Sequence, residues 1–251
     1  MKKRLSVRYA LSLGLVLVLL AAPGCGPTTN GKPSETYDYR IDMEAFAPAI
    51  ESEGKDCLIL ANKQHPLGSS YAPGNLSELP AELTLYGKSI KLESRAALAA
   101  EALTRELHAR GYGHIVITSG YRTYAYQEGL FNTYIQNEQA AHPDWTRAEC
   151  EAAVLAYSAK PGTSEHQTGL CMDLISTRNV VLDESFAKDS VYDFLLENAH
   201  HFGFILRYPK GKEAVTGYTW EPWHYRFVGI TAATAIHERG CTLEEYLDGL
   251  N

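Results

Sequence analysis

P-G-T-S-E-H-Q-T-G-L-C-M-D-L, running from Pro161 to Leu174, sets a histidine and an aspartate seven positions apart. About fifty residues later E-P-W-H, Glu221 to His224, supplies a second histidine with a glutamate three positions before it. His166 lies in a polar loop that leads into the apolar run Leu170 to Ile175, and Asp173 sits inside that run. A carboxylate there is costly to bury unless it is paired or binds a metal. Glu221 and His224 meet the same argument, because they stand in the otherwise aromatic run Trp220 to Tyr225. Residues three apart in a regular strand face opposite sides, and Pro222 breaks the strand so that both side chains can turn into one pocket. Two histidines and one carboxylate, His166, Asp173 and His224, make a three-ligand zinc site with a fourth position open to water. Glu221 is then left over to handle protons. The chain has no H-E-x-x-H, so the helical solution to the same problem does not apply.

Working outward, Ile115 to Thr118 reads as a β-branched strand running into Ser119-Gly120-Tyr121-Arg122. Residues 94–110 read as a helix with Leu98, Ala102, Leu103 and Leu107 on one face, and helices follow from Tyr124 to about Ala140 and from Thr146-x-x-Glu149, a capping box, to about Ala159. Leu58 to Lys63 reads as a short strand, and Leu83 to Leu92 as a hairpin turning at Tyr86-Gly87-Lys88. Gly169 to Ile175 and Phe204 to Arg207 read as strands, and Tyr218 to Phe227 as a third, broken at Pro222. Ser190 caps a helix from Val191 to Phe202 that ends at Gly203. The tail, Ala232 to Leu250, is helical with a break at Gly240. Helices and short strands mix without βαβ alternation, so the expected class is α+β, a small mostly antiparallel sheet flanked by helices.

The chain has 251 residues, 45% apolar and 21% charged, enough for one domain with a substantial core. Its N-terminus has a different character. Lys2, Lys3, Arg4 and Arg8 precede an apolar run from Leu11 to Leu20, too short to span a membrane comfortably, which reads as a signal peptide over residues 1–24. Cys25 follows small residues and resembles a lipoprotein box, although Ala22 and Pro23 depart from the usual pattern. The expectation is a lipidated Cys25 at the start of a flexible tether over residues 25–55, a catalytic domain over residues 56–251, and export to the outer face of a bacterial cytoplasmic membrane or cell envelope. The competing reading is ordinary cleavage with Cys25 incidental. Losing residues 1–24 removes four positive charges and no negative ones, so the net charge of −7 becomes −11. That balance argues against a nucleic-acid partner. Contact with the membrane is expected only through the lipid. Cys57, Cys150, Cys171 and Cys241 show no C-x-x-C spacing. Buried free thiols and one bridge are both open, and Cys171 reads as a small hydrophobe rather than a ligand.

Arg122 stands just past a strand end, where side chains are often displayed for function, and its fork suits an oxyanion or a carboxylate. A surface ion pair is the competing reading. Gln127, Ser158 and Ser164 are candidate donors to a substrate carboxylate, and Tyr124 is placed to line the site, with capping or solvent-facing roles as the alternatives. The remaining histidines have ordinary explanations at helix ends and in loops.

Ser119 to Arg122, Ser164-Glu165-His166-Gln167-Thr168-Gly169 through Asp173, and Glu221 to Tyr225 occur in the order and spacing of the VanY-type D-Ala-D-Ala carboxypeptidases, within the lysostaphin, D-Ala-D-Ala peptidase and hedgehog group of zinc proteins. The resemblance runs from about Leu58 to Leu247 and includes Asn62-Lys63 and Gly203 to Pro209. It implies that group's fold, one Zn2+ per chain held by His166, Asp173 and His224, Glu221 as catalytic base, and Arg122 in contact with substrate. The expected activity is removal of the terminal D-Ala from peptidoglycan stem peptides. An L,D-carboxypeptidase that trims tetrapeptide stems, a dipeptidase or endopeptidase, and a non-catalytic wall-binding zinc lipoprotein are the alternatives.

Overall fold

The computed structural model describes residues 37–51 and 54–250. The signal peptide, Cys25 and the first part of the tether lie outside the described residues. Among the described residues six strands, β1 (Leu76–Glu78), β2 (Lys91–Glu93), β3 (Ile115–Ser119), β4 (Cys171–Ser176), β5 (Phe204–Leu206) and β6 (His224–Phe227), form two sheets. β1 and β2 make a two-stranded antiparallel ribbon, and the other four pair antiparallel in the order β3-β4-β6-β5. The helices are α1 (Ala47–Ile50), α2 (Ser94–Ala109), α3 (Tyr124–Ala141), α4 (Arg147–Val154), α5 (Val191–Asn198), α6 (Glu213–Thr216), α7 (Ile230–Arg239) and α8 (Leu243–Asp248). The expected α+β class with a small antiparallel sheet holds.

α2 is the central helix of the core. Glu93 caps it by accepting from the amides of Arg95 and Ala96, which satisfies two otherwise orphan donors. Ala96, Ala99, Ala100, Leu103 and Leu107 form its fully buried stripe, the i, i+3, i+4 pattern of a core-facing helix. Leu98, expected on that face, is 40% exposed, because it lies well around the helix from this stripe. The stripe packs with Met172 and Leu174 of β4, Ile115 and Ile117 of β3, and Tyr225 and Phe227 of β6.

Side chains alternate across a strand, so the same register turns Cys171 and Asp173 to the opposite face of β4. There Asp173 pairs with His224 and Cys171 with Arg226, and paired residues share a face. A register shift between Ile117 and Ser119 brings Ser119 opposite Asp173 as well, as a bulge does when it re-aims a strand end. One side of the sheet is thus the apolar core, and the other gathers a buried polar cluster. β4 is buried on both faces, which is why it reads as a continuous apolar run.

Four expectations are corrected. Leu58 to Lys63 is not a strand. A single 3-10 turn, Lys55–Leu58, opens it, and the carbonyls of Cys57 and Ile59 accept from the buried Arg226 guanidinium instead of from a sheet neighbour. The expected hairpin turns through Tyr86 and Gly87, both at positive φ, but its strands are the more distant β1 and β2. The strand expected from Tyr218 is shortened to His224–Phe227. Residues 37–51 do not behave as tether: Tyr37, Tyr39, Ile41, Met43 and Phe46 pack on the main core, and Glu106 accepts from the Arg40 amide.

The helix expected to end at Phe202 does so as α5 followed by a 3-10 turn, with Gly203 left-handed. Asp189, not the Ser190 side chain, bonds its first amide. Cys57, Cys150 and Cys171 are free, buried thiols. Among the described residues no helix is long and apolar enough to cross a membrane.

Candidate metal centre and active site

His166 is delivered by a 3-10 turn, Glu165–Thr168, that closes on Gly169 in the left-handed region. A Cβ at Gly169 would stand 3.0 Å from the Glu93 amide, so strain and space both require glycine there. The His166 ring is fixed by Nδ1, which donates to the Gly120 carbonyl at 2.7 Å. That leaves Nε2 with its lone pair, 3.3 Å from Asp173 Oδ2.

His224 is arranged the other way round. Its Nε2 lies 3.0 Å from Glu165 Oε1, and a carboxylate only accepts, so Nε2 carries the proton. Nδ1 is then the free donor, 3.0 Å from Asp173 Oδ1. The two imidazoles therefore offer different nitrogens to one point, each set by an outer hydrogen bond, as metal-ligating histidines usually are.

Glu165 is itself anchored. Its Oε2 accepts from Arg207 Nε at 2.8 Å and from Arg226 Nη1 at 3.1 Å. Arg207 forks onto Glu244 at 2.8 and 2.6 Å, and Arg226 donates to the Cys57, Ile59 and Phe227 carbonyls. Both arginines are fully buried. Two cations face two carboxylates, so the network closes without net charge. Burial raises the Glu165 carboxyl, but Arg207 and Arg226 outweigh this and hold it far below its ordinary value.

Glu221 reaches the same point from a turn. The His224 amide donates to the Glu221 carbonyl at 3.1 Å, a four-residue turn with Pro222 at its second position. The turn puts Glu221 Oε2 3.5 Å from His224 Nδ1. This is how the proline break, legible in the sequence, aims both side chains into one pocket. Burial, with Asp173 adding to it against the opposing His224, pushes the Glu221 carboxyl up to about 7.

Arg122 follows the bulge in β3. Its guanidinium donates to Ser119 Oγ at 2.8 and 3.1 Å and to Asp173 Oδ2 at 3.1 Å, and its backbone amide donates to the His166 carbonyl. Gln127 accepts from Arg122 Nη1 at 3.5 Å and donates to the Ala159 carbonyl at 2.9 Å. Gln127 is buried, lines the cleft and buttresses Arg122, with one of its two amide N–H groups given to Ala159. Ser158 and Ser164 line the same cleft, which has a volume of about 310 Å³. Tyr124 does not line it; its ring lies beside Gly162, 3.3 Å from where a Cβ would stand. Tyr208 is buried and forms part of the cleft wall, with its ring 4.9 Å from that of His224. Tyr134, Tyr157 and Leu182 extend the wall outward.

The pocket favours positive charge. Burial and Arg122 oppose a proton on His166, but Cys171 and Asp173 outweigh them and push its pKa up to about 9. Asp173 is held well below its ordinary value, because the two imidazoles outweigh its burial. Convergent imidazole nitrogens, a buried carboxylate and an electrostatic preference for a cation fit a divalent metal. Cys171, expected as a small hydrophobe, also belongs to the cluster: its Sγ and a nitrogen from each of His166 and His224 lie within 4.8 Å of one another.

The family profile described as VanY, D-alanyl-D-alanine carboxypeptidase, matches residues 89–230, a span that holds every residue of this cluster except Glu244 and the carbonyls of Cys57 and Ile59. The Bacillus subtilis (strain 168) protein YodJ is 37% identical over 233 residues, covering 88% of this chain and 81% of its own. Among solved structures, the LD-carboxypeptidase LdcB superposes with a TM-score of 0.66 at 36% identity, covering 77% of this chain and 86% of its own. The D,D-pentapeptidase VanY of a VanB-type vancomycin resistance cassette, a glutamate-to-alanine mutant in complex with Zn(II), gives 0.63 at 36% identity, covering 76% and 99%.

Proposed function

The chain belongs to the VanY family of D-alanyl-D-alanine carboxypeptidases, and on that premise we propose that it is a zinc D,D-carboxypeptidase that removes the C-terminal D-Ala from peptidoglycan stem peptides. The observation that carries the reading is the convergence of His166 Nε2, the Asp173 carboxylate and His224 Nδ1 with Glu221 beside them. His166, Asp173 and His224 would hold the ion. Zinc, when bound in such a site, polarises the scissile carbonyl and acidifies a water.

Glu221 lies beside the metal ligands and lines the cleft, in position to take a proton from the attacking water and pass it to the departing amine. Arg122 has one guanidinium N–H left, on Nη1, to offer the oxyanion that develops on the scissile carbonyl, and the four bonds on its other N–H groups mean that no reorganisation is needed when that charge appears. Gln127 keeps Arg122 in place. Ser158 and Ser164 are the hydroxyls left to meet the terminal carboxylate. Export and a lipid anchor at Cys25 would bring the site to its substrate outside the cytoplasmic membrane.

Glu221 must be ionised to act as a base, so kcat/KM should rise with pH and level off as the carboxyl loses its proton. A nearby cation stabilises the carboxylate, so the inflection should fall below about 7. A pH profile of the metal-loaded protein checks this. A rate that is flat from well below that point, or that falls with rising pH there, argues against a carboxylate base.

The similarity to LdcB gives the L,D reading equal structural support. The two differ in the stereochemistry on the acyl side of the bond. Incubation with pentapeptide and tetrapeptide stems, with and without a chelator, separates them by product mass. Loss of one alanine from the pentapeptide alone supports the D,D reading, loss from the tetrapeptide the L,D reading. Absence of chelator-sensitive cleavage of either would leave the wall-binding lipoprotein.

A further inference from the structure

Cys171 is fully buried, two residues before Asp173 on the same face of β4. Its strand partner on β6 is Arg226, two residues beyond His224. The thiol therefore sits on the floor of the cluster, beside the two imidazoles. A thiol, an Nδ1 or Nε2 from His166 and one from His224 all fall within 4.8 Å of each other. Donors of one tetrahedral ion, at bonds of about 2.0–2.3 Å, lie roughly 3–4 Å apart, so a small rotamer adjustment brings all three onto a shared metal. The two histidines are common to this set and to the Asp173 set.

Resting on the zinc reading above, we propose that Cys171 is a further donor to the bound metal, so that this chain can close its site with two imidazoles, one carboxylate and one thiolate. A thiolate is the softest donor available to a protein and binds thiophilic metals in preference to water. The thiol proton leaves to solvent as the metal–sulfur bond forms. A fourth protein ligand occupies the position an open catalytic site leaves to water, so Cys171 and the attacking water would compete for the metal. The chain then has a resting, closed arrangement and an open one that substrate or water must restore.

The test is absorption spectroscopy of the full chain loaded with Co2+, with the metal content measured separately. The expected result is one cobalt per chain and a near-ultraviolet thiolate-to-cobalt charge-transfer band in the parent protein. Cys171→Ser and Cys171→Ala should keep the cobalt and lose the band. Stoichiometric cobalt without that band in the parent overturns the proposal and leaves the zinc reading intact. A band that survives in a folded Cys171 variant assigns it to another thiol and overturns the proposal equally. Failure to bind cobalt at all overturns both. The parent spectrum alone can refute the idea, so it does not depend on a variant that folds.

Discussion

Glu221→Ala should lower kcat by about 10²- to 10⁴-fold, the usual contribution of a positioned general base, while the protein still holds one zinc. In barrier terms the loss is about 3–5 kcal/mol. The two halves of that result come from different atoms. On the proposed assignment, metal affinity depends on the lone pairs of His166 and His224 and on the Asp173 carboxylate, none of which needs Glu221 for its orientation: Gly120 fixes one ring and Glu165 the other. Glu221 is set by backbone bonds, through the 221–224 turn and the Tyr208 carbonyl, so truncating its side chain leaves the fold of the turn in place. The comparison variant is His166→Ala, which should lose metal and D-Ala release together. D-Ala release and zinc content, measured on both proteins, decide the matter. A Glu221→Ala protein that keeps its rate has lost no base, and one that loses its zinc shows that Glu221 is a ligand.

The parts of the site that are legible in the sequence share one physical signature. Asp173 stands in an apolar run, and Glu221 and His224 stand in an aromatic one. A charge in such a place is costly, so its immediate neighbours are enough to announce a partner. Pro222 likewise announces that its strand must turn. The same signal is present at Arg207, inside Phe204 to Tyr208, and at Arg226, inside Tyr225 to Phe227. Reading those charges as costly in the same way marks both as members of a buried network. What the sequence does not carry is who meets whom. Glu165 meets Arg207 and Arg226 across 42 and 61 positions, and nothing local marks it in a loop of polar residues. Cys171 reads as a small hydrophobe because it is one in volume. Strand alternation puts it on the face of Asp173, but only the register of β4 against β6 shows that His224 shares that face. Leu58 to Lys63 has strand composition, but Arg226 takes the carbonyls a sheet would have used. Long-range side-chain pairing decides each of these, and local propensity has no access to it.

Glu165→Gln should destabilise the protein by about 3–5 kcal/mol, the cost of removing one partner from a buried ionic network. Gln keeps the shape and one acceptor oxygen. It removes the charge that balances Arg207 and Arg226, of which only Arg207 retains a second carboxylate, Glu244. Arg226 is left facing carbonyl oxygens alone, fully buried and without a counter-charge. The same substitution weakens the acceptor that fixes His224 Nε2, and loss of such an outer partner typically costs about 10–100-fold in metal affinity. Denaturant unfolding and zinc competition titration measure the two effects separately. The pH dependence has a definite sign. The carboxyl of Glu165 is depressed in the folded state below its ordinary value of 4.5, so its contribution is complete above that value and is lost as the pH falls through the folded value. Parent and variant should therefore differ most in stability above about pH 4.5 and converge on acidification. A variant within about 1 kcal/mol of the parent at neutral pH, the ordinary size of a point-mutation effect, would mean that the arginines find their compensation elsewhere, and an unchanged zinc affinity would mean that the His224 tautomer is set by something other than Glu165.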